Sequence, residues 1–248
     1  MIFILVIILF FQISFLPAET LWNLGYDFTL GSDNYFSHNL YGGASQYLEK
    51  DITLSEYLGV FHDIDYDVIG SMTLVGKKGI GKSMHIGSML VLANGSLSGE
   101  NSSNSSSSFG ILWDKDLSRK INIGLDYKYT TGSIYSGINR DVSGKSKINS
   151  KKQQNGSSIV EENSSSFYSN SIATKLDIDL SKVISNLSYM LNLSYSENSN
   201  DVKVTSCALE FSYLLNEKLF LSNGLTFTSN SLDEKNYYFS IGLNRVFK

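Results

Sequence analysis

The chain has 248 residues, a formal net charge of −4 and only 18% charged residues, while aromatic residues make up 12%. This weakly acidic balance provides no basic surface for nucleic acid, and the single cysteine, Cys207, excludes an internal disulfide and a multi-cysteine metal site. A single proline, together with abundant Tyr, Phe, Gly and Ser, favours strands, because aromatic and β-branched side chains fit a pleated surface.

The first segment, residues 1–18, differs from everything that follows it. It is almost wholly apolar up to Leu16, and Ala18 precedes the polar Glu19. The run is shorter than the roughly 20 residues that a transmembrane helix needs, and Ala18 provides a small residue at a cleavage position. We therefore predict a secretory signal peptide over 1–18 and a single mature domain over 19–248. Because no Lys or Arg precedes the apolar run, an uncleaved anchor and a misassigned start codon are the alternatives.

The mature part repeats one pattern, in which about ten residues alternate apolar and polar side chains before a turn. In the first repeat Trp22, Leu24 and Tyr26 alternate with small or polar residues, which places the two sets on opposite faces of a strand. Alternation blurs within 35–76, so ten strands are the alternative if one hairpin there does not form. In chain order the pattern predicts twelve strands, over 20–31, 35–48, 51–61, 65–76, 82–93, 107–114, 120–132, 167–181, 185–197, 202–214, 218–229 and 236–247.

A soluble sandwich or a lipid-carrying barrel also alternates, but two features favour a membrane barrel. Several segments run for about nine to thirteen residues, whereas strands of soluble proteins usually run for five or six. Their smaller face carries Ser, Gly, Asn and Asp, which suit a wet lumen better than a dry core. Strands that cross lipid must close, because an open edge leaves backbone groups unpaired. We predict an all-β fold, a closed antiparallel transmembrane β-barrel of about twelve strands in a bacterial outer membrane.

The connections between these strands alternate in length. Short turns are predicted over 114–120, 181–185 and 215–218, and longer loops over 94–107, 133–166 and 229–235. Both termini fall on the short-turn side, which is the periplasmic side of outer-membrane barrels. The polar segment 133–166 buries too little apolar area to order itself, so we expect a mobile external loop unless it folds inward and plugs the lumen. Aromatic girdles at the two membrane interfaces are predicted from Trp22, Tyr26, Tyr127, Tyr129, Tyr189, Tyr195, Tyr213 and Phe247.

The last residues of the chain, from Tyr238 to Lys248, resemble the terminal strand of bacterial outer-membrane proteins. Apolar residues alternate there up to the aromatic Phe247. The resemblance identifies a porin-like class without a specific family. It implies that the barrel-insertion machinery recognises the C-terminal strand ending at Phe247. It also implies that outer-membrane lipid and lipopolysaccharide surround the barrel.

The three histidines, His38, His62 and His85, are the first candidates for a catalytic group. His85 and Ser88 are three apart, so a strand directs them to opposite faces. Asp27 with the segment 32–39 resembles the N-terminal motif of the outer-membrane lipid A deacylases, which implies a calcium-dependent site of Asp, Asn, Thr and His. A tight surface loop is the alternative, since Asp and Asn are good turn formers. We predict no catalytic residues and no cofactor.

Two further motifs are interpreted as structural. The stretch 76–83 has the phosphate-loop spacing G-x-x-x-x-G-K-S, but the residues after it read as a strand where that motif requires a helix, so we predict a turn. The acidic stretch 62–67 places carboxylates two residues apart, and hard cations prefer such oxygen ligands. It lacks the glycine that a calcium loop needs for its sharp turn, so we predict no dedicated metal site.

The remaining functional material is the charge that alternation directs into the lumen. Acidic groups outnumber basic ones there, so a mild cation preference is expected, although the same groups pairing across the lumen would instead make it rigid. We predict a porin-like passive channel for the transport of small hydrophilic solutes. The alternatives are an outer-membrane lipid-modifying enzyme, similar to the lipid A deacylases, and a non-conducting surface barrel whose loops bind a ligand. The predicted lumen-lining residues are Asp27, Asp67, Asp126, Lys128, Lys175, Asp177, Asp179 and Glu210.

Overall fold

A computed structural model describes residues 19–48, 51–63, 66–97, 102–138, 161–181 and 186–247. The predicted signal peptide, 1–18, lies outside these ranges. Within them no helix is long and apolar enough to cross a membrane. A short 3-10 helix, Ser32–Asn34, joins the first two strands. The strands are β1 (Glu19–Gly31), β2 (Phe36–Leu48), β3 (Ile52–Asp63), β4 (Tyr66–Ile80), β5 (Met84–Leu97), β6 (Ser102–Ser118), β7 (Ile121–Ile138), β8 (Glu161–Asp179), β9 (Leu187–Asn198), β10 (Lys203–Asn216), β11 (Leu219–Asn230) and β12 (Lys235–Phe247).

Every strand pairs with its neighbours in sequence, and the first and last strands close the ring. Along this seam, β1 and β12 are antiparallel in a register that runs from Trp22 opposite Phe247 to Gly31 opposite Tyr238. Closure gives the backbone groups of both edge strands a partner, which a sheet in hydrocarbon requires. The predicted closed antiparallel barrel of twelve strands is therefore confirmed.

The two faces of the wall differ as the alternation predicts. On β11, Leu225 is 55% exposed on the outer face, whereas its neighbour Gly224 is buried on the inner face. Among the described residues, Ala44 and Leu112 are the buried apolar residues, so the wall encloses no packed apolar core. The predicted girdle residues also alternate with the inner set and fall on the outer face. The large apolar side chains exposed on the outer face include Leu24, Leu40, Val60, Ile86, Leu90, Phe109, Ile111, Tyr127, Ile172, Leu193, Phe211, Phe239 and Leu243.

Strands β5 to β8 extend into the two long loops that the sequence predicted. Of the loop predicted over 94–107, residues 94–97 belong to β5 and residues 102–107 belong to β6, while 98–101 lie outside the described residues. The loop predicted over 133–166 shrinks to 139–160, which lies outside the described residues. The sequence pattern missed these extensions because their Ser and Asn residues do not alternate with apolar residues. The strands continue there nevertheless, since the hydrogen bonds between strands join backbone groups whatever the side chains are. The turn predicted over 114–120 is also too long, because β6 runs to Ser118.

Candidate functional site

The lumen face consists of the residues that alternate along each strand with the exposed apolar residues. Most of these residues are small or polar. On β7, Asp126 and Lys128 alternate with Leu125, Tyr127 and Tyr129, which are exposed on the outside. The same alternation places Asp27, Lys175, Asp177, Asp179 and Glu210 on the lumen face of their strands. The side chain of Asp67 lies outside the described part of the structure.

Two ion pairs join different strands on the lumen face of the wall. Lys175 Nζ lies 2.9 Å from Asp126 Oδ2, which joins β8 to β7. Lys77 Nζ lies 2.5 Å from Asp114 Oδ2, which joins β4 to β6 over the intervening strand β5. Gly87 on β5 makes space for the Lys77 side chain, because a Cβ added there would stand 2.9 Å from Cγ of Lys77. Lysine charge is therefore neutralised locally at two points of the wall.

Lys77 and Asp114 were absent from the residues predicted to line the lumen. Asp114 is shared by the predicted strand 107–114 and the predicted turn 114–120, and Lys77 lies in the glycine-rich stretch 76–83 that is predicted to be a turn. The structure continues β4 through Ile80 and leaves only residues 81–83 as the turn, where Gly81 has a φ of 69°. Ser108, Gly110 and Leu112 alternate on the lumen face of β6. Extending this alternation by two residues identifies Asp114 as a lumen residue.

Acidic groups approach each other from separate parts of the wall. Asp27 on β1 is hydrogen-bonded to Asn39, and Ser212 donates a hydrogen bond of 3.3 Å to Oε1 of Glu210 on β10. Tyr41 on β2 interacts electrostatically with both of these carboxyl groups, and Glu210 also interacts with Asp177 on β8. Two strands of the ring separate β1 from β10 and three separate β2 from β10, so these interactions span several strands of the wall.

A cavity of about 370 Å³, lined by charged, polar and apolar residues, opens at the end of the barrel that holds both termini. Its floor is the lumen face around Asp177 and Glu210, and Arg119 and Lys120 of the β6–β7 turn border it. Lys120 Nζ lies 3.7 Å from Asp179 Oδ2, and the backbone N–H of Ser181 donates to Oδ1 of the same carboxylate at 2.8 Å. This mouth therefore carries both signs of charge.

Large side chains on the lumen face lie over glycines of the neighbouring strand. A Cβ added at Gly25 would overlap the ring of Tyr41, and one added at Gly132 would stand 2.5 Å from Cζ of Phe167. The same arrangement pairs Gly43 with Tyr57 and Gly31 with Tyr238. These rings thus lie along the wall, and they leave more of the lumen axis free than rings that project inward.

The residues considered for catalysis are not brought together. Asp27 lies on the lumen face, whereas His38 lies on the outer face beside Phe28 and Phe36. His85 points into the lumen and Ser88 points outward, as their spacing predicts. The segment that resembles the deacylase motif therefore has its aspartate and its histidine on opposite faces of the wall.

The acidic stretch 62–67 is only partly described. Its side chains at 64–67 lie outside the described residues, while Asp63 is buried and accepts a hydrogen bond of 3.1 Å from the Tyr35 hydroxyl. Within the described ranges, no group of three or more His, Cys, Asp or Glu side chains is placed to hold a metal ion.

Comparisons with known proteins show similarity in structure but not in sequence. No family model matches the chain, and no curated protein is similar to it in sequence. The structure of the NanC porin matches with a TM-score of 0.60 at 10% identity over 90% of this chain and 98% of that chain. An outer-membrane channel from Pseudomonas putida F1 matches with a TM-score of 0.60 at 12% identity over 94% and 97%.

An autotransporter barrel is similar to the same degree. The translocator domain of NalP from Neisseria meningitidis matches with a TM-score of 0.57 at 9% identity over 94% of this chain and 90% of that chain. At these identities the likeness concerns the fold alone. The chain thus has a porin-like β-barrel fold, similar to the folds of these outer-membrane proteins, and no specific family is indicated.

Proposed function

We propose that this barrel is a passive channel for small hydrophilic solutes and that it prefers cations to anions. The observation that carries the proposal is the lumen face itself, which is polar and charged while its aromatic rings lie flat over glycines such as Gly25 and Gly132. A wall built in this way favours a continuous hydrated path over a filled interior.

The strand number supports the same conclusion. Eight strands give an interior that side chains just fill, and the diameter grows with every added strand. Twelve strands therefore enclose more space than the lumen side chains occupy when most of them are Ser, Gly, Asn and Thr. Solutes that are small and hydrated fit such a passage.

Charge supports the preference for cations. The carboxylates of Asp114 and Asp126 are paired with lysines, whereas Glu210 interacts electrostatically with the acidic groups of Asp27 and Asp177. A unit charge about 6 Å from an ion in water contributes roughly 0.7 kcal/mol. That energy corresponds to about a threefold enrichment of cations over a neutral site. Salt screens this field, so the preference is largest at low ionic strength.

Single-channel recording of the refolded protein in planar bilayers tests the proposal. We expect discrete conductance steps and, in a salt gradient, a reversal potential on the cation-selective side. The double variant Glu210→Gln with Asp177→Asn should lower the ratio of cation to anion permeability by severalfold. Glu197→Gln is the matched control, because Glu197 lies on the outer face, where it pairs with Lys203 at 4.0 Å.

Two results would contradict the proposal. A correctly folded barrel that shows no conductance steps in any bilayer has a closed lumen and is not a channel. A conducting barrel whose selectivity is the same with and without Asp177 and Glu210 does not select ions through these groups.

A further inference from the structure

Two of the three histidines meet on the outer surface of the barrel. His38 on β2 and His62 on β3 are direct partners in the antiparallel register. Both side chains point away from the lumen, and their ring centroids lie 6.3 Å apart at an interplanar angle of 71°. They lie close to the end of the barrel opposite the termini, since His38 is near the start of β2 and His62 is near the end of β3.

A hydrogen bond orients one of these rings. The hydroxyl of Tyr26 on β1 lies 2.5 Å from Nδ1 of His38. Histidines that bind metal commonly donate their second ring N–H to an oxygen, which fixes the tautomer and leaves the other nitrogen as the ligand. If Nδ1–H donates to Tyr26, then Nε2 of His38 carries the free lone pair.

We propose that His38 and His62 bind a divalent transition-metal ion, of which Zn²⁺ and Cu²⁺ are the best suited. Imidazole nitrogen binds such ions at about 2.0–2.1 Å, so each ring centroid would lie about 3 Å from the ion. Two rings that share one ion then stand at most about 6 Å apart. The observed 6.3 Å lies at that limit, so metal binding requires the exposed His62 ring to turn toward His38.

The groups around the two histidines determine which metal ions the site binds. The two imidazoles are the protein ligands, so water fills the other coordination positions at this exposed surface. Neutral nitrogen ligands favour Zn²⁺, Ni²⁺ and above all Cu²⁺ in the order of intrinsic affinity, whereas Mg²⁺ and Ca²⁺ require oxygen ligands. The flanking rings of Phe28 and Phe36, with centroids 5.1 and 6.0 Å from that of His38, limit the space on one side.

Metal titration of the untagged, refolded barrel in detergent tests this site. Isothermal calorimetry with Zn²⁺ and with Cu²⁺ should show one ion bound per chain, and Mg²⁺ should give no binding. His38→Ala and His62→Ala should each weaken binding at least tenfold. His85→Ala is the matched control, because the third histidine faces the lumen and its removal should leave the affinity unchanged.

Tyr26→Phe separates orientation from ligation. Loss of the hydroxyl should lower the affinity for Zn²⁺ roughly tenfold while both imidazoles still bind, as expected of a group that orients a ligand. The electron paramagnetic resonance spectrum of bound Cu²⁺ should show two nitrogen ligands in the native protein and in Tyr26→Phe, but one in either alanine variant. Retained heat-modifiable mobility on gels verifies that each variant is folded.

Three outcomes would overturn the proposal: binding that survives in the double variant His38→Ala with His62→Ala, binding that disappears in His85→Ala, or a folded native protein that binds neither ion. None of these outcomes depends on conductance, so the metal site and the channel are tested independently of each other.

Discussion

Single glycines decide where the large lumen side chains lie. Gly25 and Gly42 occupy β1 and β2 on opposite faces of the wall, and their surroundings differ. A Cβ at Gly25 would overlap the Tyr41 ring, whereas a Cβ at Gly42 would stand 3.5 Å from its nearest neighbours, which is ordinary contact. The absent side chain at Gly25 therefore has a physical consequence, because it lets Tyr41 lie against the wall.

Gly25→Val should lower the single-channel conductance. The added side chain forces the Tyr41 ring toward the axis, and valine is otherwise well tolerated in a strand. Gly42→Val is the control, and its conductance should equal that of the native protein. Recording both variants in the same bilayers checks the prediction; equal conductance in Gly25→Val would show that the ring does not border the conducting path.

On each strand, residues that face outward alternate one by one with residues that face the lumen. On β11, Leu225 faces outward and is 55% exposed, while Thr226 faces the lumen between Ala208 and Tyr238. In a bilayer the outer residue would meet lipid and its neighbour would meet the lumen, because successive side chains of a strand point in opposite directions. The same substitution should therefore have different effects at the two positions.

Leu225→Arg should destabilise the barrel by about 2–4 kcal/mol in lipid bilayers, because a charge near the middle of the hydrocarbon is poorly solvated. Thr226→Arg, one residue away, should cost much less, since its charge reaches the hydrated lumen. Chemical unfolding of both variants in lipid vesicles measures the free energy of unfolding. Similar losses for the two variants would contradict the assignment of the faces.

The whole molecule depends on one long-range seam. The pairing of β1 with β12 joins the two ends of the described chain, and Thr29 lies directly opposite Ser240 across it. Directly opposed residues of antiparallel strands have Cα atoms about 4.5–5.5 Å apart, which is within the range of a disulfide.

Thr29→Cys with Ser240→Cys should form a disulfide in the folded protein. The background is Cys207→Ser, which removes the native cysteine. Thr29→Cys with Thr226→Cys is the control, because Thr226 lies on β11, one strand further from the seam, and should stay reduced. Mass spectrometry after mild oxidation measures both; bonding in the control alone would contradict the closure.

The sequence alone determined the closed antiparallel barrel and the alternation of its two faces. The reason is local: a period of two directs Asp126, Lys128 and their alternating neighbours to one side whatever the distant chain does. Strand ends were less well predicted where Ser-rich residues conceal the alternation, as in β6, because backbone pairing depends little on such side chains.

Only the tertiary structure decided which residues meet across strands. Lys77 and Asp114 are 37 positions apart and form an ion pair over a third strand, and no local pattern reports that distance. His38 and His62 lie opposite each other because of the β2–β3 register. Register is set by the turn and by the whole closed ring, and a shift by one residue would have separated both pairs to opposite faces of the wall.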